Sequence, residues 1–270
     1  MILNDGISKN FEGKYDFDYT QDLDTDILHL STDESGVKTA NGLTYFYAYQ
    51  FNPKADYNEV KTFRKLFNHN YRDSHYFYND DVFDFIEVGM LHMDHFKKLE
   101  SFDIVFMTDF GNGTSAGVMA LLDSMLLEYT NGSFLDVRLV KQTYENVKFD
   151  RDKAKQAILS TNKYSNEYQA ERAVRSMEDT FNQLKTSGEL FKMKRYLPAA
   201  GRVGFYNFLK FDTEEHKSAF MSMENGSEAL ICDDLITSGS TIKEIKRYLH
   251  SINPNVNITV FVLIDQMREY

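Results

Sequence analysis

The residues best equipped for chemistry lie together near the C-terminal end of the chain, in the run Ala229-Leu230-Ile231-Cys232-Asp233-Asp234-Leu235-Ile236-Thr237-Ser238-Gly239-Ser240-Thr241. Two adjacent carboxylates can accept hydrogen bonds from a diol, and hydroxyl residues around a glycine can surround an anion with O–H and backbone N–H donors. Gly239 lets the chain turn tightly enough for those donors to converge. Together these are the parts needed to hold a ribose 5-phosphate.

The elements that must position them follow from the same run. Ala229 to Cys232 are four apolar residues in a row, the mark of a strand buried on both faces in a parallel sheet. The acidic pair is expected where that strand ends, and open α/β sheets bind ligands at the carboxyl ends of their strands. Thr241 is expected to cap a helix whose apolar residues Ile242, Ile245 and Leu249 fall three and four apart. The N-terminus of such a helix is an anion site. An ordinary βα turn with solvated aspartates is the alternative reading of the same residues.

The thirteen residues as a whole resemble the phosphoribosyl pyrophosphate (PRPP) motif of the type I phosphoribosyltransferases: four apolar residues, two acidic, two apolar or small, then a Thr/Ser-Gly-x-Thr loop. The resemblance implies an α/β fold with a mostly parallel sheet flanked by helices, to which this sequence adds an N-terminal α+β extension and a helical insertion longer than the family's usual flap. It places the 5-phosphate on Thr237, Ser238, Gly239, Ser240 and Thr241. The ribose hydroxyls fall to Asp233 and Asp234, with Asp234 the best choice for a residue near the attacking nitrogen.

A second strand, loop and helix are expected at Phe102 to Met107, Thr108 to Ala116 and Val118 to Tyr129. By the same resemblance this unit holds pyrophosphate through Asp109, Phe110, Gly111 and Asn112, joined by Lys141 after the next strand, Phe134 to Val140. Many family members carry a cation in this loop, whereas here Asp109 stands in it with no Lys or Arg. Either backbone and magnesium alone hold the pyrophosphate, or the loop has left catalysis. The family's mobile flap corresponds to the insertion that follows, where Lys141, Lys148, Arg151 and Lys153 are cation candidates. Gly201 to Phe211 resembles the strand that precedes the PRPP motif.

The remaining sequence bounds these readings. The 270 residues allow one large domain or two modest ones, and residues 1–100 are expected as an N-terminal extension or hood beside a core of residues 101–270. Leu43 to Phe51 is a strong strand candidate, halted by Asn52-Pro53. Helices are expected at 151–160 and 166–185, inside an insertion at about 145–200. From Lys141 to Lys217 the chain holds 15 Lys and Arg against 11 Asp and Glu, although the whole chain is at −11. Solvated helix faces explain most of that charge, and the acidic total argues against general nucleic-acid binding. The closely spaced Asp22, Asp24 and Asp26 fit a solvated acidic segment better than a calcium loop, because Ile27 stands where the turn glycine belongs. His92 and His95 lack a third ligand, so no metal site is expected there. The single cysteine, Cys232, permits no intramolecular disulfide and fits a reducing, cytoplasmic setting. No secretory signal or membrane span is read.

The function so implied is transfer of ribose 5-phosphate from magnesium-bound PRPP to a nitrogen nucleophile such as a nucleobase, with release of pyrophosphate. Two other classes remain open: a nonenzymatic PRPP or nucleotide sensor, and a member that binds RNA or protein through the basic insertion. The expected partners are PRPP and an unidentified nucleophile, with a homodimer allowed and no membrane contact.

Overall fold

The computed structural model describes residues 6–9, 15–18, 27–31, 36–40, 42–56, 58–61, 63, 79–107, 116–129, 135–161, 166–236 and 239–266. The chain divides into two compact units: Met1–Val137 with Ser227–Thr237 and Asn257–Met267, and Arg138–Gly226 with Ser238–Val256 and Arg268–Tyr270.

The first unit is built on a sheet. Numbered along the chain, its strands are β1 (Gly6–Lys9), β2 (Tyr15–Asp18), β3 (Leu28–Leu30), β4 (Val37–Ala40), β5 (Leu43–Phe51), β6 (Ile104–Met107), β7 (Leu135–Asp136), β12 (Glu228–Ile236) and β13 (Asn257–Asp265). Among the described residues they form one sheet in the order β2-β1-β3-β5-β13-β12-β6-β7, with β4 on β5. The five strands from β5 to β7 run parallel, and the pairs that add β1 to β4 are antiparallel.

The sequence explains which strands are central. In β12 and β13 the apolar residues run without alternation, and Ala229 to Cys232 and Val260 to Ile264 are buried, as strands covered on both faces require. β5 has the bounds expected from sequence, and Asn52-Pro53 ends it. Although β5 lies within residues 1–100, it pairs directly with β13.

Helices α1 (Asn79–Phe96) and α2 (Ala116–Tyr129) supply Phe85, Ile86, Met90, Leu122, Met125 and Leu126 to a core shared with Tyr49, Leu230, Cys232 and Leu263 of the sheet. At Gly89 a Cβ would come within 2.6 Å of the Leu263 side chain, so glycine permits the close approach of α1.

The second unit is helical with two small antiparallel ribbons. Strands β8 (Leu139–Lys141), β9 (Lys148–Phe149), β10 (Phe205–Tyr206) and β11 (Leu209–Phe211) pair as β8 with β11 and β9 with β10. Its helices are α3 (Arg151–Leu159), α4 (Glu167–Leu184), α5 (Glu214–Met221) and α6 (Ser240–Ile252). Asp150 and Asn166 cap α3 and α4 by accepting from the Lys153 and Gln169 N–H groups at 2.9 Å. Helices are present where the sequence placed them, at 151–159 and 167–184.

Two expected strands differ from the structure. The stretch 134–140 is not one strand: Val137 still donates to Val105 O at 3.2 Å, but Arg138 O accepts from Asp212 and the chain continues as β8. It changes partners at that peptide. The stretch Gly201 to Phe211 is likewise broken into a 3₁₀ turn, β10 and β11, and joins none of the parallel strands. Asn207 sits at φ 58 between the two short strands. Asparagine tolerates this left-handed conformation, which interrupts an extended ladder.

Candidate functional site

The acidic pair belongs to the first unit. β12 does not stop at the carboxylates, as the sequence suggested, but continues to Ile236, with Asp233 opposite Val262 and Leu235 opposite Ile264. Asp233 Oδ1 accepts from the Asp234 N–H at 3.1 Å, and Asp234 Oδ1 accepts from the Leu235 N–H at 2.7 Å. Asp234 is buried at 8% exposure.

A third carboxylate lies at the same end of the neighbouring strand, because Asp265 is the register partner of Ile236. Asp265 accepts from Tyr45 Oη and from Lys38 Nζ, both at 2.7 Å. That end of the parallel sheet therefore gathers negative charge, part of which Lys38 offsets.

Cys232 precedes the pair and is fully buried. Burial first, and then the charges of Asp233 and Asp123, push its thiol well above the usual range. It stays protonated and is a poor nucleophile.

The described part of the hydroxyl loop belongs to the second unit. Gly239 adopts φ 66 immediately before α6, and its carbonyl accepts from the Lys243 N–H at 2.9 Å. Ser240 is buried and Thr241 half-buried in the first turn. Thr241 therefore lies inside the helix, and the capping position falls to Gly239.

That turn contains no acidic residue but does contain Lys243. A cation there opposes the helix dipole, which favours anions at this end. Burial lowers the Lys243 pKa, and the nearby charge of Lys153 lowers it further. The helix start itself, with its backbone N–H groups, is a site suited to an anion. Lys153 is one of the four flap-cation candidates named from the sequence. Lys243 was not singled out, though a lysine one turn after a Gly-Ser-Thr loop is a signal against the dipole.

A buried clamp holds α6 in place. Glu244, 4% exposed, accepts from the Asn207 N–H at 2.6 Å and from Arg247 Nε at 2.6 Å. Arg247 Nη2 also donates to Asn207 Oδ1 at 2.9 Å, and Gln142 Nε2 donates to the carbonyls of Asn207 and Leu209 at 3.0 Å. The turn between β10 and β11 is thus tied to α6 and to the chain after β8.

The other expected residues are distributed as follows. Lys141 lies half-buried on β8 opposite Leu209. Arg151 is bound by Glu171 and Glu178 of α4, so its charge serves the α3–α4 contact. Asp109, Phe110, Gly111, Asn112, Thr237 and Ser238 lie outside the described residues. Asp233 and Asp234 are together on β12, and Gly239, Ser240 and Thr241 are together at the start of α6. His92 is buried in α1 with Nε2 lacking a hydrogen-bond partner among the described residues, and its ring meets Phe96 edge-on at 5.0 Å. Among the described residues no three His, Cys, Asp or Glu side chains gather to hold a metal, and no helix is long and apolar enough to cross a membrane.

No protein-family model and no curated protein matches the chain. Among solved structures, it is similar to the crystal structure of a hypoxanthine phosphoribosyltransferase from Staphylococcus aureus, at 14% sequence identity and a TM-score of 0.30. The match covers 69% of this chain and 64% of that one, so the chain spans less than two thirds of that protein's length.

Proposed function

We propose that this chain binds magnesium-PRPP and transfers its ribose 5-phosphate to a nitrogen nucleophile such as a nucleobase. The observation that carries the proposal is the thirteen-residue run itself, found as a central parallel strand bearing Asp233 and Asp234, followed along the chain by Gly239 at φ 66 and helix α6. In this reading Thr237 to Thr241 take the 5-phosphate and the acidic pair takes the ribose hydroxyls. Asp109 to Asn112 and Lys141 are proposed for the pyrophosphate.

In the reaction the nucleophile's nitrogen forms a bond to C1 of the ribose as the C1–O bond to pyrophosphate breaks with its electron pair. Magnesium arrives with the substrate and neutralises the leaving group. The chain's own contribution is positioning and electrostatics: hydroxyl and N–H donors fix the phosphate end, and carboxylates favour the positive charge that develops on the ring. Lys243, in the first turn of α6, adds positive charge at the start of that helix.

A second reading is a PRPP or nucleotide sensor without transferase activity, and the presence of Asp109 in place of a loop cation favours it. Calorimetry with magnesium-PRPP tests the shared premise. Replacing both carboxylates (Asp233→Asn with Asp234→Asn) is expected to abolish binding while leaving the thermal midpoint within a few degrees of the parent. Unchanged affinity in the double variant would falsify the ribose assignment. Release of pyrophosphate on addition of a base then separates transferase from sensor.

A further inference from the structure

Helix α6 begins without the local devices that usually fix a helix start. Gly239 has no side chain to cap it, its first turn holds no acidic residue, and Lys243 opposes the dipole there. A capping side chain at that position would occupy a first-turn N–H group, and those groups are what a phosphate needs. The turn is therefore held from farther along the helix.

Glu244 is the next residue. Its Oε1 accepts from the Asn207 N–H at 2.6 Å and from Arg247 Nη2 at 2.8 Å, and its Oε2 accepts from Arg247 Nε at 2.6 Å. Arg247 Nη2 also donates to Asn207 Oδ1 at 2.9 Å, so the three residues close a ring of hydrogen bonds. The far side of that ring is itself fixed, because Asn207 sits at φ 58 and its carbonyl accepts from Gln142 Nε2 at 3.0 Å. Both polar groups of the Asn207 backbone are thus engaged, one by α6 and one by the chain after β8. All of these residues belong to the second unit. Glu244 is 4% exposed, and hydrogen bonds shielded from water in this way are stronger and hold a single geometry.

We propose that Glu244 is a positioning residue for the 5-phosphate. It touches no substrate; it acts through α6, and its acceptance of the Asn207 N–H, more than its ion pair with Arg247, sets where the first-turn N–H groups point. The inference rests on the PRPP reading.

Calorimetry well below the thermal midpoint tests it with ribose 5-phosphate and with magnesium-PRPP. Glu244→Ala is expected to weaken both ligands at least about tenfold and by the same factor, since both carry the 5-phosphate and small displacements of positioned donors are costly. Glu244→Gln keeps an acceptor for the Asn207 N–H without the charge and is expected to stay within about threefold of the parent. Ile158→Val, a substitution of a buried residue in α3, lowers stability and is expected to leave both affinities unchanged. If Glu244→Ala does not fold, Glu244→Asp, which keeps the charge and withdraws the acceptor by one methylene, is read in its place with the same direction expected. A parent that binds while Glu244→Ala, or Glu244→Asp in its place, keeps full affinity overturns this inference alone and leaves Glu244 a merely structural residue. Equal losses in Glu244→Gln and Glu244→Ala, or a loss for magnesium-PRPP that spares ribose 5-phosphate, also overturn it. A parent that binds neither ligand overturns the PRPP reading and this inference with it.

Discussion

Among the described residues of the hydroxyl loop, Gly239 holds a backbone conformation that an L-residue resists, φ 66. A left-handed residue with a side chain costs about 1–2 kcal/mol, and a β-branched one is still less suited. Gly239→Val is therefore expected to lower the unfolding free energy by about that amount, read as a lower urea midpoint, and to block ribose 5-phosphate. Undiminished ribose 5-phosphate binding by calorimetry in a folded variant would sink the loop assignment. His92 makes a different statement, about acid. Burial, and then the charge of His95, hold its pKa below the ordinary value. The unfolded chain, with a histidine pKa near 6.5, then takes up the proton more readily than the folded one. The His92 contribution is complete above about pH 6.5 and is lost as pH falls from there towards the lower folded value. Thermal midpoints across that window are expected to fall less steeply in His92→Gln; equal slopes would contradict this. At this scale the acidic pair was legible because its residue types are distinctive. Glu244 was not, because nothing in Lys243-Glu244-Ile245 distinguishes a buried carboxylate from a solvated one.

Helix α6 is joined to the β10–β11 turn through Glu244, which has two kinds of partner, a backbone N–H and a guanidinium. Glu244→Ala removes the acceptor of a partly buried N–H and is expected to cost about 1–3 kcal/mol in denaturant unfolding. Arg247→Ala is expected to cost less, about 1 kcal/mol or below, since Arg247 is 40% exposed and its charge is screened. Equal costs would show that the ion pair, and not the N–H bond, holds the turn. The elements with strong periodicity were legible: β5, α3 and α4 lie where they were expected, while β12 and α6 are present with displaced ends, β12 running on to Ile236 and α6 beginning at Ser240 rather than after a Thr241 cap. The strands expected at 134–140 and 201–211 were not, because their apolar content is uniform while their partners change at Arg138 and Asn207. Partner choice depends on contacts remote in sequence, and no local pattern carries it.

At the scale of the molecule, the sequence indicated an α/β protein with a mostly parallel centre, and the five strands from β5 to β7 have that character. It did not indicate that residues 43–51 belong to the same sheet as residues 257–265, since aromatic alternation reads alike in an extension and in a core. Composition located the basic stretch, but only the structure shows Arg151 and Lys155 spent on α4 carboxylates. The position of β13 between β5 and β12 also sets an order of events during synthesis. Tyr45 and Asp265, which share a hydrogen bond, are 220 residues apart. β5 therefore leaves the ribosome long before its parallel neighbour exists, whereas Arg138–Gly226 of the second unit is contiguous and can begin to order early. Until β13 arrives, β5 and β12 each present an unpaired apolar edge. The centre of the sheet closes late, and the nascent chain is most vulnerable to misassociation just before it does.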